Sequence, residues 1–331
     1  MARFIKKIIV YSLFIFLFCG TIFAYVDPYN VYHWQNIRDN GIEPNKNYIK
    51  TKYLISNPDK FDTYILGSSR VGAIHVEKMN NCKAYNMTYS QANLEEELET
   101  LEVLINADVT IKNVYMGIDN ASFCETESND AHTMSPMHCS YKQSLNPFRF
   151  FWVYMNPSTC IKSLFVHDNV NEGFDTFYQY GWDIDYSRST NYDWSSITPI
   201  YSENYDLSRS LFCIRRIKEL CDKNNIKLIV FTNPMYEDTY RLAVDYNEYY
   251  EFLYQLSQIT DYYNFSGIND ITKNKDNYID WSHYRAEIGD IIMGIMNHEE
   301  TTRTLEEHGF GWYVSQDNID GLLEILKEQY K

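Results

Sequence analysis

Strand patterns alternate with helical patterns along most of the chain. Residues 226–232 form a largely apolar run of strand length, as expected for a strand buried on both faces of a sheet. Residues 62–66 and 113–118 are predicted as further strands, and apolar residues at helical spacing predict helices at 93–105 and 207–221. Strands that alternate with helices indicate an α/β fold with a mostly parallel sheet and helices on both faces.

The N-terminus carries a hydrophobic segment with a basic flank. Arg3, Lys6 and Lys7 precede an uncharged apolar run at 8–26, which is about long enough to cross the hydrocarbon core of a membrane. The basic flank orients the N-terminus to the cytoplasm. A cleaved signal peptide is the alternative, but its apolar region would usually be shorter, and residues 21–24 make a poor cleavage site. The sequence favours an uncleaved, single-pass signal anchor in the cell membrane with an extracytoplasmic domain.

Weaker patterns complete the predicted organisation of the chain. They indicate short strands at 83–87 and 262–265 and helices at 48–55, 148–166, 238–256, 284–296 and 318–330. Residues of about 120–204 interrupt the alternation, and a long insertion of this kind is typical of a lid or substrate loop. We divide the chain into the anchor at 1–26, a juxtamembrane segment at 27–60, a main domain at 61–298 and a tail with a helix at 299–331.

The chain is acidic, because 45 Asp and Glu residues against 29 Lys and Arg residues give a formal net charge of −16. Nucleic acids and anionic lipid surfaces select basic proteins, so this charge argues against non-specific binding to either. The His and Cys residues lack the spacing of zinc ligands. An Asp-rich stretch at 183–185 lacks the rest of a calcium loop. We expect no nucleic-acid partner, no metal site and no cofactor.

The motif Gly67-Ser68-Ser69-Arg70 directly follows the predicted strand at 62–66. Ligands of open α/β sheets bind at the carboxyl ends of the strands, so Ser69 falls where a site is expected. Gly67 allows the chain to turn sharply and to expose a serine hydroxyl. A plain loop that caps a helix is the alternative for this motif alone.

The motif Asp280-Trp281-Ser282-His283 lies close to the C-terminus. A spacing of three within one helical turn would put the carboxylate and the imidazole on the same side. Asp280 can then fix the tautomer of His283, which serves as the base for Ser69. The alternative is an exposed helix that Asp280 simply caps. The catalytic interpretation predicts that Ser69 Oγ lies within about 3–4 Å of a His283 ring nitrogen.

The two motifs together resemble the first and last sequence blocks of the SGNH (GDSL) hydrolase superfamily. Gly67-Ser68-Ser69 matches the first block with Ser68 where Asp is usual, and Asp280 with His283 matches the final Asp-x-x-His. The resemblance covers about residues 61–298. It implies a flavodoxin-like three-layer fold and a serine esterase or acyltransferase with Ser69, His283 and Asp280 as its triad.

The resemblance also implies an oxyanion hole built from Ser69, Gln91 and Asn120. Gln91 stands at about the position where the second block of the family has a glycine, and its backbone N–H survives that change. In the third block Asp119 stands where the family has an oxyanion-binding Asn, and an ionised carboxylate there would oppose catalysis. Either Asn120 takes this role, or Asp119 turns away, or the hole consists of backbone N–H groups alone.

A membrane anchor combined with Gly-Ser-Ser in the first block is similar to one subgroup of the family. That subgroup contains the D-alanyl-lipoteichoic acid transfer protein and the proteins of alginate O-acetylation, which work beside membrane-bound O-acyltransferases. The resemblance implies acyl transfer to, or removal from, a cell-surface glycan or polymer. A catalytically inactive glycan-binding or scaffold component of a polymer export or modification system is the alternative.

Four further residues are candidates for substrate binding. Arg70 can bind an anionic acyl donor or substrate, with an ordinary salt bridge as the alternative. Trp182, Tyr186 and Trp194 lie in the aromatic insertion and can stack on sugar rings, with simple packing of a large loop as the alternative.

Overall fold

A computed structural model describes residues 1–38, 41–118, 136–165, 174–181, 192–194, 206–246, 248–297 and 310–331. Its centre is one sheet of six strands, in which β1 to β5 are parallel and β6 is antiparallel to β5. The strands lie in the order β2-β1-β3-β4-β5-β6, and the first five follow the order of flavodoxin-like doubly wound sheets. The strand bounds are Thr63–Leu66 (β1), Ala84–Asn86 (β2), Asn113–Ile118 (β3), Lys227–Thr232 (β4), Tyr262–Asn264 (β5) and Trp312–Val314 (β6). The predicted α/β class with a mostly parallel sheet is confirmed.

Twelve α-helices are present in the described residues. Short 3₁₀ turns are formed by Ser69–Ala73, Val76–Lys78 and Lys275–Asn277. The helix bounds are Ala2–Val26 (α1), Lys46–Ser56 (α2), Leu94–Asn106 (α3), Tyr141–Ser144 (α4), Pro147–Tyr154 (α5), Pro157–Leu164 (α6), Phe174–Gln179 (α7), Leu207–Lys223 (α8), Glu237–Tyr246 (α9), Tyr249–Ser257 (α10), Ala286–Met296 (α11) and Ile319–Tyr330 (α12).

The sheet is buried on both faces because successive strand residues point in opposite directions. Tyr64 and Leu66 pack on one face with α3, α8 and α12, whereas Ile65 and Phe231 pack on the other face with α11. The result is a sheet between two layers of helices. This arrangement places the carboxyl ends of β1, β3, β4 and β5 along one edge of the domain.

The described part of the predicted C-terminal tail packs against the main domain. Residues 312–314 form β6, which extends the sheet beyond β5, and α12 buries Leu322 and Leu326 in the larger core. A strand of three residues is too short to show a period-2 pattern in sequence. The segment at 27–60 is likewise part of the fold, because Ile49 and Leu54 of α2 are fully buried.

Two predicted helices are each divided in two. The predicted helix at 148–166 consists of α5 and α6, and the break falls at Asn156-Pro157. Proline cannot continue a helix but suits its first turn, and the Asn156 side chain accepts hydrogen bonds from the N–H groups of Ser158 and Thr159. The predicted helix at 238–256 consists of α9 and α10.

Helix α1 is long and apolar enough to cross a membrane. It ends at Val26, and the following residue, Asp27, adopts the left-handed conformation with φ of 44°. The buried Asp27 carboxylate accepts hydrogen bonds from the backbone N–H groups of Val31, Tyr32 and His33. A tight turn therefore joins α1 to the domain.

Candidate active site

The motif Gly67-Ser68-Ser69-Arg70, which carries the predicted nucleophile, forms a sharp turn at the carboxyl end of β1, and we call it the nucleophile turn. Gly67 has φ of +150°, and a Cβ atom there would lie 2.5 Å from Val71 Cγ1 and 3.0 Å from the Gly117 carbonyl oxygen. Only glycine fits this position without strain. Ser68 then caps the 3₁₀ turn Ser69–Ala73, and its side chain accepts a hydrogen bond from the Arg70 N–H. Ser69 is half-buried, so its hydroxyl can meet both solvent and a neighbouring loop.

The Asp-x-x-His motif lies on a short loop and not on a helical turn, which corrects the geometry expected from its spacing. Tyr278 and Tyr284 form an isolated antiparallel bridge, and the Ile279 N–H donates to the His283 carbonyl oxygen at 2.8 Å. Asp280 Oδ1 accepts hydrogen bonds from the N–H groups of Ser282 at 2.7 Å and His283 at 2.9 Å. These bonds fold residues 278–284 into a hairpin, which we call the base hairpin.

The structure brings Ser69, His283 and Asp280 together in hydrogen-bonding order. Ser69 Oγ lies 2.7 Å from His283 Nε2, within the predicted distance. His283 Nδ1 lies 2.9 Å from Asp280 Oδ2 and 3.0 Å from Oδ1. A carboxylate only accepts hydrogen bonds, so Nδ1 carries the ring proton and Nε2 is left to accept from the Ser69 hydroxyl. This is the arrangement that a serine nucleophile and its base require.

The environment of Asp280 keeps its carboxyl group ionised. Burial by itself would raise the pKa of Asp280, but hydrogen bonding to His283 and the backbone N–H groups of the base hairpin outweigh it and lower the pKa. An ionised carboxylate at this place stabilises the imidazolium that forms when His283 takes a proton. The Asp280 and His283 side chains are each 26% exposed, so the pair faces a solvent-accessible site.

Arg70 lies inside the protein and connects the nucleophile turn to the base hairpin. It is 3% exposed, and its Nε donates to the Ser282 carbonyl oxygen at 2.7 Å. Two more bonds hold the hairpin from the β4 side, because Thr239 Oγ1 donates to the Trp281 carbonyl and the Tyr284 hydroxyl donates to Asn233 Oδ1. Asn233 is not among the residues predicted from sequence, although its position directly after β4, at the carboxyl edge of the sheet, was a signal.

The structure describes only some of the residues predicted for the oxyanion hole. Gln91 lies in the loop after β2, is exposed and has φ of +56°. That loop is fastened to the nucleophile turn, because Thr88 Oγ1 donates to the Ser68 carbonyl oxygen at 2.9 Å. Asn120 and Asp119 lie outside the described residues, two and one positions beyond the end of β3.

One predicted aromatic residue lies near the base hairpin. The Trp194 ring is 5.0 Å from the Tyr236 ring and 5.4 Å from the Tyr192 ring, and Lys275 Nζ lies 5.2 Å from its centre. The Tyr236 ring in turn lies 5.5 Å from the ring of Tyr278, the first residue of the base hairpin. Trp194 therefore borders the site, although its own ring is already packed. Trp182 and Tyr186 lie outside the described residues.

A cavity lies away from the triad. Its volume is about 670 Å³, and its lining includes Lys227, Leu228 and Tyr262, where β4 and β5 begin, together with Asn297 after α11. Ligands of parallel sheets bind at the opposite, carboxyl ends of the strands. The cavity lining contains no Ser, Cys or His among the described residues, so the triad remains the better candidate for chemistry.

Comparison with protein-family models, with curated proteins and with solved structures gives no match to this chain. The functional assignment therefore rests on the geometry of Ser69, His283 and Asp280.

Proposed function

We propose that this chain is a membrane-anchored serine esterase or acyltransferase of the SGNH type, acting on O-acyl esters of a cell-surface glycan or polymer. The observation that carries the proposal is the continuous path from Ser69 Oγ through the His283 ring to Asp280, with links of 2.7 and 2.9 Å. Residues 214 positions apart in sequence form this path at the carboxyl edge of the sheet.

The triad supports nucleophilic acyl transfer. Ser69 Oγ attacks the acyl carbonyl carbon, while His283 Nε2 takes the serine proton and Asp280 stabilises the resulting imidazolium. The imidazolium then protonates the leaving sugar oxygen, which departs and leaves an acyl group on Ser69. Water or another sugar hydroxyl, deprotonated by His283, attacks this ester and releases the acyl group.

In this proposal backbone N–H groups of Ser69 and Gln91 hold the oxyanion, and Asn120, which lies outside the described residues, is the candidate for an additional side-chain donor. The left-handed backbone of Gln91 supports its match to a glycine position, because glycine adopts this conformation most readily. The hydrogen bond from Thr88 to the Ser68 carbonyl supports a fixed spacing between the two amides. Donors preorganised in this way stabilise the charge that develops in the transition state.

The SGNH assignment draws further support from the strand order and from the position of both motifs. The nucleophile follows β1, and the base hairpin precedes α11, the last helix before the tail. A cell-surface substrate follows from the proposed membrane topology, in which α1 spans the membrane and the domain lies outside. A membrane-bound O-acyltransferase is the partner class that would supply acyl groups there.

The proposal is tested by acetate release from an aryl acetate. The full-length chain in detergent should release acetate, and Ser69→Ala should lower the turnover rate by about 10⁴-fold or more, because the nucleophile is lost. Ser68→Ala is the matched control, since it removes the adjacent hydroxyl, which accepts a hydrogen bond from the Arg70 N–H. Equal turnover in Ser69→Ala and wild type would overturn the proposal.

A further inference from the structure

Helices α5 and α6 and the residues beside them display a surface of exposed apolar side chains. Phe148 is 88% exposed and Trp152 is 68% exposed, and the two lie four residues apart on one face of α5. Outside α1 and this surface, the exposed large apolar side chains in the part of the chain that the structure describes are Met1, Phe212 and four tyrosines. The full surface, which we call the apolar hairpin surface, consists of Leu145, Phe148, Trp152, Ile161, Leu164 and Phe165.

The exposure of these side chains is not a sign of a loosely attached hairpin. The opposite face of α5 is fixed to the domain, because Phe150 packs 4.9 Å from the Tyr48 ring and Tyr154 is buried. Asn45 Nδ2 also donates to the Tyr154 hydroxyl at 2.6 Å. The domain therefore holds α5 in a defined orientation and directs Phe148 and Trp152 away from itself.

The hairpin also contacts α1 well inside its apolar stretch. The Phe151 ring of α5 lies 6.1 Å from the Phe16 ring, and a Cβ atom on Gly20 would lie 2.8 Å from Phe151 Cζ. At about 1.5 Å of rise per residue, Gly20 and Phe16 lie about 9 and 15 Å below Val26, the last residue of α1. One leaflet contributes about 15 Å of hydrocarbon, so Phe151 lies at the depth of the leaflet nearest the domain.

We propose that the α5–α6 hairpin is a second membrane-embedded element, seated in the extracytoplasmic leaflet beside α1. This inference rests on the membrane-spanning role proposed for α1. The apolar hairpin surface contacts lipid acyl chains, because its exposed side chains are aliphatic or aromatic and lie at acyl-chain depth. Exposed Lys142, Arg149 and Lys162 have stems long enough to carry their charges toward the headgroups.

Attachment to the membrane at two points restricts the orientation of the domain, which a single anchor does not do. A single helix would let the domain turn about the helix axis, whereas α1 and the hairpin together fix one face of the domain against the bilayer. The triad is then held at a constant height and orientation above lipid-linked or membrane-associated acyl esters. The contact of α1 with Phe151 also favours retention of α1 over its cleavage as a signal peptide.

The inference is tested by the depth of Trp152 in a bilayer. The full-length chain is reconstituted in phosphatidylcholine vesicles, with and without lipids brominated at carbons 9 and 10, and emission is compared with that of Trp152→Phe. The difference spectrum isolates Trp152, and we expect brominated lipid to reduce this component at least twofold. Trp312→Phe is the matched control, because Trp312 lies on the edge strand β6 and should not be quenched.

A carbonate wash of the same vesicles separates this inference from the proposal on which it rests. Membrane-retained protein with quenched Trp152 supports both. Membrane-retained protein in which Trp152 emission is unchanged by brominated lipid overturns the hairpin inference alone. Protein that the wash extracts contradicts the spanning role of α1, and the hairpin inference falls with it. Circular dichroism of Trp152→Phe checks that the exposed substitution leaves the fold intact.

Discussion

The base hairpin and the α5–α6 hairpin are two accessible parts of the molecule that obey opposite physical rules. In the base hairpin, the single carboxylate of Asp280 accepts hydrogen bonds from two backbone N–H groups and from the His283 ring. The α5–α6 hairpin instead turns apolar rings outward, with Phe148 the most exposed of them. One region is organised by directional bonds in water, and the other by the removal of apolar surface from water.

This contrast separates the two parts of the proposed function. Directional bonds fix atoms to within fractions of an ångström, which chemistry requires. Apolar contact is non-directional and suits attachment to a fluid bilayer. Substitutions in the base hairpin should therefore change catalysis, and substitutions in the apolar hairpin surface should change membrane contact without changing catalysis.

The largest expected effect is that of Asp280→Asn. The amide can present a donor to His283 Nδ1, which favours the wrong tautomer of the ring, and turnover should fall by about 10⁴-fold. Acetate release from an aryl acetate measures this loss. Asp290→Asn is the matched control, because Asp290 pairs with Lys78 away from the triad. Turnover within twofold of wild type would mean that Asp280 does not orient the base.

Asp280 should also make stability depend on pH. Its folded-state pKa lies below the usual value of about 3.9, so the ionised carboxylate stabilises the fold above that pH. This contribution is lost as pH falls through the lowered folded-state pKa. The free energy of unfolding of wild type should thus exceed that of Asp280→Asn at pH 7, and the difference should shrink at pH 3. A difference that is independent of pH would contradict this.

The next effect concerns Arg70, which joins the two halves of the site. Arg70→Gln removes the bond from Nε to the Ser282 carbonyl, and displacement of the base hairpin by about 1 Å can cost about 10²-fold in turnover. Because Arg70 is buried, kcat should fall while KM changes little. A rise in KM with unchanged kcat would instead make Arg70 a substrate-binding residue, as the sequence suggested.

The Gly67→Ala substitution should have a smaller effect, which is expected on the free energy of unfolding. Gly67→Ala introduces a Cβ atom against Val71 and the Gly117 carbonyl at a strained φ, which should cost about 1–3 kcal/mol. Gly321→Ala is the matched control, because the added Cβ on α12 meets nothing within 4 Å. It should stabilise the protein by about 0.5–1 kcal/mol. Denaturant unfolding of both variants measures the change in the free energy of unfolding, which should have opposite signs in the two variants.

The smallest effect on catalysis is expected in the apolar hairpin surface. Phe148→Ser should leave kcat in detergent within twofold of wild type, because the side chain is 88% exposed and lies outside the site. In brominated vesicles the same variant should reduce quenching of the neighbouring Trp152. A large loss of kcat in detergent would show that the two regions are not separable.

The sequence predicted the central strands and the two separate motifs of the candidate site because their signals are local. Residues 113–118 form β3 as predicted, since six residues with a buried apolar run carry a clear strand pattern. The short spacing from Asp280 to His283 was likewise sufficient to bring two side chains together. The geometry of that motif was wrong, because the preference of Asp280 for backbone N–H groups produces a loop where the spacing alone suggested a helix.

Other features depend on contacts that no local pattern records. The strand β6 has three residues and exists only because β5 offers it an edge. The burial of Arg70 and its bond to Ser282 depend on the approach of segments 212 residues apart. The outward direction of Phe148 and Trp152 depends on which face of α5 Tyr48 covers. Sequence periodicity predicts a helix there but not the medium that it faces.

Labelling by a serine-reactive phosphonate tests the central claim most directly. The full-length chain is treated with a fluorophosphonate, and peptide mass spectrometry identifies the modified residue. We predict one adduct on Ser69, absent in Ser69→Ala, strongly reduced in His283→Ala and retained in Ser68→Ala. Wild-type protein that binds glycan but forms no adduct on Ser69 would contradict the proposed enzyme and favour a catalytically inactive glycan-binding component.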